Sequence, residues 1–137
     1  MKADVNGRAK GAFDGMPGAY AAMITPFTKD DKVNEGAIDQ LVEYGLRGGL
    51  AGFYLTGGTG EGLLMSVAER KQVYRRAAKA ARGRCKLIAH VGAVRTEDSI
   101  ALARYAADVA THLLSSPNTS CAKSPRLVNS NARTPPS

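Results

Sequence analysis

Three short apolar runs constrain this chain more than anything else in it. They are Ala19–Ile24, stopped by Thr25-Pro26; Ala51–Thr56, stopped by Gly57-Gly58; and Lys86–Val91, stopped by Gly92. A short, nearly continuous apolar run bounded by Gly or Pro reads as a strand buried on both faces. Strands of that kind belong to parallel sheets, because each must be covered by a crossover element on its outer side.

The stretches after the runs supply the crossovers. From Asn34, the apolar positions Ala37, Ile38, Leu41, Val42 and Leu46 follow helical spacing, and Gly48-Gly49 ends the pattern. Asn34 is the predicted cap of this helix. Ser66 with Glu69 three residues on forms a capping box that opens a second helix, carrying Val67, Val73, Ala77 and Ala81 and stopping near Gly83. Thr96 opens a third through Ile100, Leu102, Ala103 and Ala106, with Glu97 and Asp98 in the first turn, where the helix dipole favours negative charge. The order is βα, βα, βα, one unit about every 33 residues. It predicts an α/β fold with right-handed crossovers. An open doubly wound sheet and a (β/α)8 TIM barrel both satisfy it.

This pattern occupies residues 18–110. Residues 1–17 are rich in Gly, Ala and charge, without periodicity, and read as a flexible leader. Residues 111–137 change abruptly: sixteen of these 27 positions are Ser, Thr, Asn or Pro, a composition that cannot bury enough apolar area to offset the entropy of ordering. A disordered tail is expected there. The change falls where a fourth strand is due, so the sharper reading is a truncated domain with an out-of-frame tail. A sheet of three strands would leave its inner face uncovered, with Ala22, Ile24, Phe53, Leu55 and Ile88 expected to be exposed on it.

Charge narrows the function classes. The net charge is +7, of which the leader carries +1, residues 18–110 carry +3 and the tail +3. The central block therefore mixes both signs, as an enzyme surface does. Its basic cluster, Arg70, Lys71, Arg75, Arg76, Lys79, Arg82, Arg84 and Lys86, reads as a solvated helix face. Only Tyr74 is interleaved for base stacking, which argues against nucleic acid as a partner. No stretch approaches the 18 or so apolar residues of a membrane span. Cys85 and Cys121 lack metal-ligand spacing and are too few for a disulfide framework, so a cytoplasmic location is expected.

The chemistry-bearing motif is Gly57-Gly58-Thr59-Gly60-Glu61-Gly62, between the second strand and the second helix. Glycines let the backbone turn sharply and expose consecutive N–H groups, and Thr59 adds a hydroxyl donor. A small anion, phosphate or carboxylate, suits such a loop. No Gly-Lys-Ser/Thr follows, so it is not a P-loop, and its glycines do not fall at the dinucleotide-binding positions. Glu61 admits two readings, a general base or a carboxylate held by backbone donors. His90, at the end of the third run, admits two as well: a group pointing into a site, or a satisfied interior histidine.

Four motifs in order carry a resemblance: Ala22-Met23-Ile24-Thr25-Pro26-Phe27; Gly52 through Gly62; Ser66 with Glu69-Arg70; and His90-Val91-Gly92-Ala93. Together they resemble the N-acetylneuraminate lyase and dihydrodipicolinate synthase family, more closely the lyase branch. The resemblance covers residues 18–110 and implies the first three βα units of a (β/α)8 barrel. It also implies a homotetrameric class I aldolase with no metal or organic cofactor, in which a lysine forms a Schiff base with pyruvate or another 2-oxo acid and a tyrosine helps to move the proton. Sialic acid, dihydrodipicolinate-type and sugar-acid substrates all fit the family. By this resemblance Gly57, Gly58 and Thr59 bind the substrate carboxylate. Gly58 stands where the family usually has Ser or Thr, and so lacks one hydroxyl. The family's lysine and tyrosine lie beyond residue 110. Lys123, set among Ser, Pro and Ala with no apolar strand around it, is no substitute. No catalytic residue is assigned, and the chain alone is expected to be inactive. Two readings of other classes are a non-catalytic anion-binding module and a basic nucleic-acid binder using residues 70–86 and the tail.

Overall fold

The computed structural model describes residues 17–110 and 112–114. Four strands alternate with three helices: β1 (Tyr20–Ala22), α1 (Glu35–Arg47), β2 (Gly52–Leu55), α2 (Val67–Ala81), β3 (Lys86–His90), α3 (Thr96–Val109) and β4 (His112–Leu114). A single 3-10 turn, Gly62–Leu64, leads into α2. The sheet runs β1-β2-β3-β4 with every neighbour parallel.

The fourth strand corrects the boundary drawn at residue 110. His112, Leu113 and Leu114 pair with Ile88, Ala89 and His90. Three residues inside a polar stretch give too short a signal to be read from composition. The expectations for residues 1–16 and 115–137 lie outside the described residues.

The register decides what faces what. Ala22, Tyr54, Ile88 and His112 stand in one row, so they share a face. Phe53, Leu55, Leu87 and Ala89 point the other way, because strand side chains alternate with period two. There they meet Ile38 and Val42 of α1, Val73, Tyr74 and Ala77 of α2, and Leu102 and Ala106 of α3 in one continuous core. The expected exposed face is therefore half right. Ala22 is exposed and Ile24 is 54% exposed, but Phe53 and Leu55 are buried under the helices, and Ile88 is buried on the opposite face. A continuous apolar run hides the alternation that separates these two sets.

The helices form one layer: α1 packs on α2, and α2 on α3. A doubly wound sheet would divide them between two faces, so the arrangement is the first part of a (β/α)8 barrel. The local signals hold. Asn34 accepts the Ala37 N–H at 3.1 Å, and the Ser66–Glu69 capping box is complete. Helix α2 ends at Arg82, which turns left-handed at φ 49 ahead of Gly83. Across the outer seam, Glu35, Asp39 and Glu43 of α1 meet Arg75, Arg76 and Arg84. Among the described residues no helix is long and apolar enough to cross a membrane.

Candidate anion-binding site

The turn Gly57–Gly62 sits at the C-terminal end of β2, the rim where barrel enzymes carry their sites. It is built by close approach. A Cβ on Gly62 would stand 1.9 Å from the Thr56 carbonyl oxygen, and one on Gly57 would stand 2.2 Å from the Tyr54 ring. Two hydrogen bonds close the turn, from Glu61 N–H to Gly58 O (3.0 Å) and from Gly62 N–H to Gly57 O (3.1 Å). Thr25, buried after β1, donates its hydroxyl to Gly60 O at 2.7 Å and ties the turn to the neighbouring strand. The amides of Gly58 and Thr59 meet no acceptor among the described residues, and both residues are exposed. The Thr59 hydroxyl is likewise uncommitted. Gly57 is buried. The turn thus offers two backbone donors and one hydroxyl to solvent on a braced frame. At Gly58, a Cβ would meet nothing within 4 Å.

Beneath the turn lies a buried polar cluster. Thr56, 1% exposed, adopts φ 51, a left-handed conformation rare for a β-branched residue. Its hydroxyl lies 3.1 Å from Tyr74 Oη, and Tyr74 donates in turn to His90 O at 2.5 Å. The guanidinium of Arg70, 2% exposed, donates to His90 O and to Gly92 O at 2.8 Å. The Thr56 carbonyl lies 3.2 Å from His90 Nδ1. Arg70 Nη2 also lies 3.4 Å from Nδ1, but that nitrogen already donates to His90 O, and a carbonyl can only accept, so the shorter Thr56 contact is met with the proton on Nδ1. Burial, and then the charge of Arg70, push the His90 pKa down, so the ring is neutral. Burial pushes the Tyr74 phenol up, which keeps it a donor.

His90 is therefore the satisfied interior histidine of its two readings. Glu61 is exposed, turns left-handed at φ 55 and meets no backbone donor among the described residues. The basic cluster divides. Arg75, Arg76 and Arg84 are engaged by carboxylates, and Lys71 stands 5.4 Å from the Tyr105 ring centroid. Arg70, read from sequence as part of the solvated face, is a core residue. Its place was visible in the spacing: Val67, Arg70, Tyr74, Ala77 and Ala81 fall three or four apart on one helix face. Thr25 and Thr56 had no comparable signal.

Parallel strands under one helical layer, with an open donor turn at the strand ends, define part of a (β/α)8 barrel. The chain belongs to the dihydrodipicolinate synthetase family, whose model matches residues 16–116. It is 41% identical over 92 residues to the N-acetylneuraminate lyase of Rhizobium meliloti, covering 67% of this chain and 31% of the relative. Over 89 residues it is 40% identical to the N-acetylneuraminate lyase of Escherichia coli, covering 65% of this chain and 30% of the relative. Among solved structures, the N-acetylneuraminate lyase of Mycoplasma synoviae superposes with a TM-score of 0.70 at 35% identity, over 75% of this chain and 36% of that one. The dihydrodipicolinate synthase of Aquifex aeolicus gives 0.68 at 32% identity, over 72% and 33%. The chain thus spans about a third of the length of the curated relatives it matches.

Proposed function

We propose that the Gly57–Gly62 turn holds the carboxylate of a 2-oxo acid, pyruvate being the simplest, in an N-acetylneuraminate lyase-like class I aldolase. The observation that carries the reading is the pair of unclaimed amides at Gly58 and Thr59, beside the Thr59 hydroxyl, at the C-terminal ends of parallel strands. A carboxylate accepts from consecutive backbone donors and a hydroxyl at little reorganisation cost, because the turn is already braced by its own bonds. Fixing that end of the substrate aims its keto carbon at an amine. The lyase names of the relatives favour the same substrate class. Cytoplasmic location and homotetrameric assembly belong to this reading.

In this reading the described residues supply the carboxylate grip and not the amine: the described strands end at Ala22, Leu55, His90 and Leu114, and none of them ends on a lysine. Titration of the full chain with pyruvate is expected to shift the Gly58 and Thr59 amide resonances saturably. Thr59→Val should weaken binding about tenfold or more, the worth of one hydrogen bond to a charged group. Borohydride trapping with pyruvate should leave the protein mass unchanged. Amide shifts that ignore pyruvate would overturn the carboxylate grip, and a stable adduct on any lysine would overturn the inactivity.

A further inference from the structure

We propose that Thr56 and Tyr74 are positioning residues: the Tyr74 hydroxyl locks Thr56 in its left-handed conformation, and that conformation presents the Gly58 and Thr59 amides. The inference rests on the carboxylate reading of the turn and adds to it how the turn is held open.

A threonine does not take φ 51 unless its surroundings force it. Here they do so from both sides of the residue. The hydroxyl proton has two acceptors within reach, Tyr74 Oη at 3.1 Å and His90 O at 3.3 Å. Because Tyr74 and Arg70 both donate to His90 O, that oxygen's two lone pairs are already occupied. The Thr56 proton therefore goes to Tyr74. On the other side, the Thr56 carbonyl takes the His90 Nδ1–H at 3.2 Å. The bonds close a ring: Thr56 to Tyr74, Tyr74 to the His90 backbone, and the His90 ring back to Thr56. It joins the C-terminal ends of β2 and β3 to the middle of α2. The turn then folds back over the residue so tightly that a Cβ at Gly60 would lie 3.0 Å from Thr56 Cα. Relaxing Thr56 to an extended conformation would rotate the chain entering Gly57, and the carbonyls of Gly57 and Gly58 would leave their bonds to Gly62 and Glu61.

This role predicts a specific epistasis. Glycine accepts a positive φ without a clamp, so it makes the tyrosine hydroxyl dispensable. In the full chain, Tyr74→Phe should speed hydrogen exchange of the Glu61 and Gly62 amides about fivefold, the loss of one net hydrogen bond, and weaken pyruvate binding by a similar factor. In a chain already carrying Thr56→Gly, the same Tyr74→Phe change should alter neither quantity. If Tyr74→Phe does not fold, Thr56→Val against Thr56→Ser makes the same comparison: valine loses the turn and serine, which keeps the hydroxyl, retains it. Equal effects of Tyr74→Phe in both backgrounds, or a valine variant that exchanges like the wild type, would overturn the proposal. Because exchange is read without ligand, a chain that shows this epistasis but ignores pyruvate would sink the carboxylate reading and leave the clamp standing.

Discussion

Helix α2 carries arginines that obey opposite rules. Arg76 lies on the outer seam with α1, bonded to Asp39 and Glu35, its side chain 25% exposed. Arg70, less than two turns earlier, is buried, meets no carboxylate among the described residues and is held by the carbonyls of His90 and Gly92. On the seam the partners could be met by water instead, so each pair gains little and salt weakens it. Inside, the Gly92 carbonyl has no other donor among the described residues and the His90 carbonyl keeps Tyr74, so removing Arg70 exposes a desolvation cost. One sequence cluster thus holds a fastener for the outside of the barrel and a brace for its working rim.

The comparison can be broken most directly at the brace. Arg70→Met is expected to lower unfolding stability by about 2 kcal/mol, by leaving the buried Gly92 carbonyl unpaired and the His90 carbonyl with Tyr74 but no charged donor. Urea unfolding would read it, and a loss below about 1 kcal/mol would mean that water reaches the rim. Acid comes next. His90 is held neutral by burial and by Arg70, with Tyr74 and Tyr54 as its other ionisable neighbours. The unfolded chain binds a proton at that histidine more readily than the folded one. Stability is therefore expected to fall as the pH drops below about 6.5, by at most about 1.4 kcal/mol per unit. His90→Asn should flatten that part of the profile. The seam responds elsewhere: a hydrogen bond from Gln72 and the charge of Arg76 hold Glu35 below its ordinary range, and Arg76 does the same for Asp39. Their contribution stays until the pH falls below about 4. The smallest effect is expected from Arg76→Gln, whose shift in melting temperature should vanish in high salt, whereas that of Arg70→Met should persist.

Much of the scaffold was legible because its signals are local. Ser66 and Glu69 announce a helix start by chemistry that needs only four residues, and Asn34 does likewise. The βα order follows from run length and punctuation. What stayed hidden depends on the third dimension. Phe53 and Leu55 lie on the helix-covered face, opposite to the one expected, because a run apolar at nearly every position shows no alternation. His112–Leu114 became a strand only through its pairing with β3. Of the candidate site, the Gly57–Gly62 turn was legible from its glycines. Thr56 was not, since it looks like the last residue of a strand, and nothing in its identity reports a positive φ. Arg70 could have been found by reading its helical spacing before its charge.

The turn also divides freedom unevenly among its glycines. Position 62 admits no added atom, because a single methyl there would strike the Thr56 carbonyl, while position 58 opens on empty space and has no left-handed backbone to protect. A side chain can be installed at 58, and its chemistry varied, with the mould of the loop left intact. In the proposed carboxylate reading, diversification of the acids held there therefore has its address at position 58, and its neighbours serve as fixed masonry around it.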